Sequence, residues 1–378
     1  MNKIYFDNAA TTAIRPEIIE AITDSMKSVY GNPSSVHQFG RSAKSLVETA
    51  RKNIAKHLNV SASEIYFTAG GSEANNLILW NAVAHLGVKR IITSKTEHHA
   101  VLHKIPALKE NYDFEICYVK LDNFGLVDFE HLSNLLQNSS KKTLVSLMYI
   151  NNEIGNILDI SKVSVLCKVH NALFHSDTVQ GIGHFNIDLQ KTPIDFITAS
   201  AHKFHGPKGV GFLYVKKGIV MKPVLIGGEQ EKGLRAGTEN IHSIAGMEKA
   251  MTISLTNLIE EQTYIQNLKT YFIHRLKEIP GVQFNGLSAD ETQSSYLILN
   301  VRFPVETDLL LFNLDLKGIA VSGGSACQSG TQKGSHVLGE LLHKKERNKA
   351  SVRFSFSYQN TKAEIDYTIS ILKSIMTS

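Results

Sequence analysis

Lys203 sits in the stretch SAHKFHGPKGVGFLYV, residues 200–215, between two apolar runs and flanked by His202 and His205. A lysine amine is a nucleophile only when neutral, so it needs burial or nearby positive charge to lower its pKa. A turn at a strand end, opening into a ligand crevice, offers both. Such a lysine can form a Schiff base with an aldehyde; a solvated turn lysine is the plain alternative. Two other segments bear on the choice. In FTAGGSEANNLILW (67–80) a strand ends at Thr68, Gly70 and Gly71 make a tight turn, and Ser72 is expected to cap an apolar helix. Exposed N–H groups at the positive end of a helix dipole can hold a phosphate. The segment is not a P-loop, because the lysine of that motif is absent. In HSDTVQGIG (175–183) Asp177 ends an apolar strand, at the edge where open α/β sheets bind ligands. It can pair with a protonated ring nitrogen or cap the next segment. A phosphate-holding turn, a strand-end carboxylate and a strand-end lysine are together the parts of a pyridoxal phosphate site.

Other residues point the same way. His98 in TEHHAVL (96–102) follows a strand end, and its ring suits stacking on a flat cofactor. His99 and His103 lie four apart, but no HExxH motif or telling acidic or cysteine partner accompanies them, so no metal site is expected. The chain has three cysteines, a poor basis for a disulfide framework. Cys117 and Cys167 have apolar neighbours and are expected in the core. Cys327 lies in SGGSACQSGTQKGS (322–335), whose Gly and Ser content predicts a mobile segment with a reactive thiol.

These residues must be positioned by strands. Apolar runs at 64–68, 90–94, 115–121, 143–150, 172–177, 194–200 and 209–215 alternate with helical patterns such as 73–86, 129–138 and 161–171. That order predicts an α/β fold: a mixed, mainly parallel seven-stranded sheet covered on both faces. The last two runs are close enough for a hairpin, so one antiparallel strand is expected. A long helical pattern over 241–277 leads into runs at 295–303 and 350–356, with helices near 306–317 and 362–376, which reads as a smaller α+β domain. The expected division is 14–256 for the large domain, with 1–13 and 257–378 forming the small one and carrying the cysteine loop 322–335.

With 378 residues, 43% hydrophobic and 20% charged, the chain is globular in composition. A net charge of +5 without a dense basic block argues against nucleic-acid binding. No apolar run reaches membrane-spanning length and no signal-peptide pattern is visible, so a cytoplasmic protein is expected.

The motifs YFDNAATT (5–12), GNPSSVH (31–37), FTAGGSEANN (67–76), TEHHAVL (96–102), NNEIG (151–155), HSDTVQ (175–180), AHKFHGPKGVG (201–211), RAGTEN (235–240), SGGSAC (322–327) and VRFSF (352–356) occur in order. Any one is weak; together they resemble the cysteine desulfurases of the NifS/IscS type, in the class V aminotransferase superfamily. The resemblance implies a pyridoxal 5'-phosphate enzyme of fold type I, a homodimer that takes L-cysteine to L-alanine and a persulfide. It implies Lys203 as Schiff-base lysine, Asp177 on the pyridine nitrogen, Gln180 on the phenolic oxygen and His98 stacked on the ring. Phosphate contacts fall on Gly71, Ser72, Ser200 and His202, with Thr238 donated by the other subunit. Asn152 touches cofactor and substrate, Arg353 holds the substrate carboxylate, and Cys327 accepts the sulfur. A sulfur-acceptor protein, an iron–sulfur scaffold or a tRNA-thiolation protein, is the implied partner. Thiol activation is left between protonated His98 and charge on the substrate. Departures from the family pattern are Ser72 where Thr is frequent, Gln328 after the cysteine, and FSFSYQNT where a Gly-Arg pair is frequent. Selenocysteine lyase or another lyase of the superfamily is the alternative activity; an aminotransferase has no use for a cysteine on a mobile loop.

Overall fold

The computed structural model describes residues 3–305, 309–323 and 334–377. Strand β1 (Ile4–Tyr5) belongs to the C-terminal part of the molecule. The next seven strands are β2 (Ile65–Thr68), β3 (Arg90–Thr93), β4 (Glu115–Tyr118), β5 (Thr143–Ser146), β6 (Leu173–Asp177), β7 (Phe196–Ser200) and β8 (Gly211–Val215). They form one sheet in the order β2-β8-β7-β6-β5-β3-β4. Only β8 runs against its neighbours, pairing antiparallel with both β7 and β2. Adjacent residues of these strands are both apolar because both faces are covered. Ile92, Val145, Ile197 and Phe212 join one buried cluster. Ile91, Leu144, Phe196 and Leu213 join the cluster on the opposite face. This is the period of two expected of a strand, with neither side facing water.

The first face is covered by α1 (Pro16–Ser28), α2 (Gln38–His57), α6 (Phe129–Gln137), α7 (Ile160–Val169) and α8 (Ile241–Thr256). The second is covered by α3 (Gly71–Ala84), α4 (His99–Leu102) and α5 (Lys104–Lys109). Parallel pairing of β3, β5, β6 and β7 brings their carboxyl ends to one edge. Thr68, Ser146, Asp177 and Ser200 all lie there.

The expected continuous helix over 241–277 is instead two helices, α8 and α9 (Leu258–Leu276), meeting at Asn257. Their buried residues explain the break. Ile244, Met247 and Met251 of α8 face the large-sheet core, while Leu268, Phe272 and Leu276 of α9 face a separate cluster. One straight helix cannot aim its apolar stripe at both. The second cluster surrounds β10 (Ile298–Arg302), which pairs antiparallel with β9 (Gln283–Phe284) and β12 (Ser351–Ser355). Also in this part are α10 (Leu309–Leu316), β11 (Ile319–Ala320), α11 (His336–Leu341), α12 (Lys344–Arg347) and α13 (Lys362–Thr377). Strand β1 pairs parallel with β11. Phe6 packs edge-on against Phe356 at 5.5 Å, and Phe272 against Phe354 at 4.9 Å.

Cys167 is in the core as expected, but Cys117 is half-buried on the edge strand β4 and donates through Sγ to Glu115. An edge strand has a neighbour on one side only, so its side chains keep contact with water. Burial pushes the Cys117 thiol up to about 11 and the Cys167 thiol higher still, so neither is a ready thiolate.

Candidate active site

Helix α3 begins two residues earlier than the sequence suggests. Gly70 is its N-cap, and no side chain caps it, so Ser72 lies inside the first turn rather than at the cap. The turn therefore presents uncapped N–H groups at the positive end of the helix. Gly70 has φ +149°, a conformation that favours glycine. A Cβ on Gly71 would meet Val179 Cγ2 at 2.5 Å, so that close approach needs glycine too. Ser200, at the end of β7, stands next to this turn; a Cβ on Gly70 would come within 3.2 Å of its hydroxyl.

Asp177 ends β6, and its side chain is fixed from two directions. Asn75 Nδ2 donates to Oδ2 at 2.7 Å, and the Val179 N–H donates to Oδ1 at 3.0 Å. Asn75 Oδ1 in turn faces His175 Nε2 at 3.1 Å, and His175 Nδ1 faces the Ser146 hydroxyl at 2.9 Å. Because Asn75 spends its N–H on Asp177, its carbonyl accepts from His175 Nε2–H, and Nδ1 accepts from Ser146. Burial, opposed by Asp177, holds the His175 pKa down to about 4, so the ring is the neutral tautomer this chain requires. All donors point toward Asp177, as an anion needs. Sequence reasoning missed Asn75, His175 and Ser146, although the first two lie inside quoted motifs. The available signal was spacing: His175 and Asp177 are two apart on one strand and so share a face.

Lys203 follows β7 in a short 3₁₀ turn, Ala201–Lys203. Its Nζ donates to the carbonyls of Ala9 at 2.7 Å and Ala10 at 2.8 Å. Gln180 Nε2 donates to the same Ala9 carbonyl at 2.9 Å. The turn is clamped to the N-terminal segment: Thr12 N–H donates to the His202 carbonyl at 2.9 Å, and His202 Nδ1 lies 3.2 Å from Thr11 Oγ1. Burial, then Lys203 and Lys208, holds His202 down to about 4.

His98 caps α4, its Nδ1 accepting from Ala100 N–H at 3.1 Å. A nitrogen that accepts there carries no proton, and burial lowers the ring's pKa further, with Lys203 and the neighbouring histidines adding to it against Asp177. A protonated His98 as thiol activator is thus disfavoured. Arg353 on β12 is 2% exposed. Its Nη1 donates to the Asn152 carbonyl at 2.8 Å and its Nη2 to Asp7 Oδ1 at 2.9 Å. Its Nε is buried without a hydrogen-bond partner among the described residues.

One cavity of about 280 Å³ is lined by Gly71, Ser72, His98, Asn152, Asp177, Gln180, Ser200, His202, Lys203 and Arg353. Thr238 is not among them. It is exposed and lines a different depression, with Gly209 and Arg235. Cys327 lies outside the described residues. The segments on either side of it reach the cleft: Ser322 pairs with Arg353 through its backbone, and His336 lines the cavity wall.

The donor set fits pyridoxal phosphate. Uncapped N–H groups with two hydroxyls suit a phosphate, a carboxylate held by two hydrogen bonds suits a pyridinium nitrogen, and a primary amine suits an aldehyde. Fold and cleft together define a pyridoxal phosphate enzyme of fold type I. Residues 4–368 match the aminotransferase class-V family. The cysteine desulfurase IscS of Dictyoglomus turgidum is 40% identical over 380 residues, covering 99% of this chain and 94% of the relative. A solved NifS-like protein has a TM-score of 0.91 at 34% identity, covering 100% of both chains. The solved structure of SspA in complex with cysteine has a TM-score of 0.81 at 28% identity, covering 95% of this chain and 100% of that one. The chain belongs to the class V aminotransferase family and, within it, to the cysteine desulfurases.

Proposed function

We propose that the protein converts L-cysteine to L-alanine and keeps the sulfur as a persulfide on Cys327. The observation that carries this reading is the single cleft onto which Lys203, Asp177 and Arg353 all open. Pyridoxal phosphate, when bound, supplies an electron sink for charge released at the substrate Cα. Gly71, Ser72, Ser200 and His202 would hold its phosphate, Asp177 its ring nitrogen, Gln180 its phenolic oxygen and Lys203 its aldehyde carbon. His98 would stack on the ring, and Asn152 would touch both cofactor and substrate.

Arg353 offers its guanidinium to the substrate carboxylate. The Lys203 amine carries the proton taken from Cα. The Cys327 thiolate attacks the substrate sulfur: an S–S bond forms, the C–S bond breaks with its electron pair staying on carbon, and that carbon takes a proton to become the methyl group of alanine. Charge on the substrate, rather than His98, activates the thiol. Thr238, exposed and outside the lining of its own cleft, would complete the phosphate site of the neighbouring subunit in a homodimer. A sulfur-acceptor protein would take the terminal sulfur onward to iron–sulfur clusters, thionucleosides or cofactors. Among the described residues no helix is long and apolar enough to cross a membrane, and we place the enzyme in the cytoplasm. The likeness to cysteine desulfurases does not favour the selenocysteine lyase alternative.

The test uses purified protein. The bound cofactor's visible absorbance is recorded, cysteine is added, and alanine and sulfide are assayed. Cys327→Ala is expected to keep the absorbance and release no sulfide, and Lys203→Ala to lose the lysine-dependent band. Full sulfide release by the cysteine variant would refute the assigned role.

A further inference from the structure

We propose that Glu153 is held as a carboxylic acid whose O–H is directed at His336 Nδ1, which keeps the cleft wall beside Arg353 uncharged so that an anionic substrate can dock. Glu153 belongs to the NNEIG motif, of which the proposed function uses only Asn152. Its side chain is fully buried, and its Oε2 accepts from the Ser335 hydroxyl. His336 Nε2 lies 2.9 Å from the Glu97 carbonyl oxygen. A carbonyl only accepts, so Nε2 carries the hydrogen and neutral His336 has a bare Nδ1. That nitrogen faces Glu153 Oε1 at 3.7 Å. Both atoms are buried, and among the described residues neither has a hydrogen-bond partner. Two bare lone pairs facing each other out of water are costly, and a proton on one of them turns the contact from repulsive to attractive.

The surroundings favour placing that proton on the carboxyl. Burial is the largest influence on Glu153 and raises its pKa, against Ser335, His336 and Arg353. On the α4 side, the His99 ring lies 4.4 Å from that of His336 and 4.6 Å from that of His103. Burial and those rings hold His99 down to about 4, so it brings no charge. Glu97 is raised well above the ordinary carboxyl range by burial, against the Met148 N–H that donates to it at 2.7 Å. On α11, Glu340 is paired with Lys95 at 3.2 Å. From β12 comes Arg353, already paired with Asp7. Asp177 and Lys203, further along the same cleft, act on His98 with opposite signs.

An ionised Glu153 would draw on the guanidinium that the proposed function assigns to the substrate carboxylate, and would repel that carboxylate. Glu153 is therefore a positioning residue, and this role rests on the desulfurase reading. Its protonation state does not.

The test compares holoenzyme and Glu153→Gln. The amide can still accept from Ser335 and present an N–H toward His336 Nδ1, but cannot ionise. Infrared difference spectra across pH are expected to show a carboxylic-acid carbonyl band at neutral pH that is missing in the variant. The KM for cysteine is expected to rise with pH by roughly tenfold more in the wild type than in Glu153→Gln, with kcat little changed, because only the wild type gains a buried anion. Absence of a Glu153-dependent band at neutral pH overturns the assignment. A band with identical KM profiles overturns the positioning role. If neither protein turns over cysteine, the desulfurase reading fails while the band still reports on Glu153. Should Glu153→Gln not fold, Ser335→Ala decides: loss of the hydroxyl donor should carry the band to higher pH, and an unmoved band overturns the assignment.

Discussion

Replacing Asn75 by alanine tests the hydrogen-bonded chain behind Asp177. The substitution removes the donor 2.7 Å from Asp177 Oδ2 and leaves His175 Nε2–H, on a fully buried ring, without its acceptor. A hydrogen bond to a charged group contributes about 1.5–3 kcal/mol, and an orphaned buried donor costs about 1–3 kcal/mol. The two losses share one side chain and are not additive, so a net destabilisation of roughly 3 kcal/mol is expected. Urea unfolding of the cofactor-free protein measures it, and Trp80, the sole tryptophan and a residue of the same helix as Asn75, reports by fluorescence. Cofactor retention should fall as well, because Asp177 keeps only the Val179 N–H to orient it. A double-mutant cycle with His175→Gln should show coupling of about 1 kcal/mol or more, since contacting residues in one network are not independent. Wild-type stability together with unchanged cofactor affinity in Asn75→Ala would refute the claim that this chain holds the carboxylate in place.

Gly71→Ala should fold but bind cofactor poorly, because its Cβ would meet Val179 Cγ2 at 2.5 Å; overpacking of this kind costs about 1–3 kcal/mol. Val179→Ala in the same chain should restore cofactor absorbance, and failure of that rescue would mean the glycine serves another purpose. Lys269 is 1% exposed, and its Nζ donates to Ser294 Oγ at 3.1 Å and to the Ser295 carbonyl at 2.7 Å, which uses both hydrogens of a neutral amine. Burial holds its pKa down to about 7 from 10.5. A depressed lysine pKa means that the folded state binds fewer protons between those values, so stability rises with pH across that window. Relative to Lys269→Met, wild-type stability should climb by about 1.4 kcal/mol per pH unit between pH 7 and 9, measured by urea unfolding; parallel profiles would contradict the buried neutral amine.

Much of the cleft was legible because its parts sit where one-dimensional patterns change. Asp177 and Ser200 end apolar runs, Lys203 opens the next turn, and Gly70 and Gly71 interrupt a strand before a helix. What the residues could not reveal was a second layer within the same runs. His175 has apolar neighbours on its strand and reads like a core residue; only the pairing of β5, β6 and α3 shows it linking Ser146 to Asn75. Glu153 was hidden in the same way, since its partners come from a segment far along the chain. The α8–α9 break was missed because both helices carry apolar periodicity, and only the two separate cores give Asn257 its meaning. Cys117 was misjudged because apolar neighbours do not tell an edge strand from a central one.

The carbonyls of Ala9 and Ala10, which hold the Lys203 amine, are kept in place by the far end of the chain: Ile4 pairs beside Ile319, and Ala9 N–H donates to Ser355 Oγ at 2.8 Å. During synthesis the first ten residues leave the ribosome early, yet their anchors emerge only after more than three hundred others. A nascent chain stopped short of residue 355 can build the large sheet and the Thr12–His202 clamp but lacks these anchors for its lysine's partners, and such a fragment should capture pyridoxal phosphate poorly however well its sheet has formed.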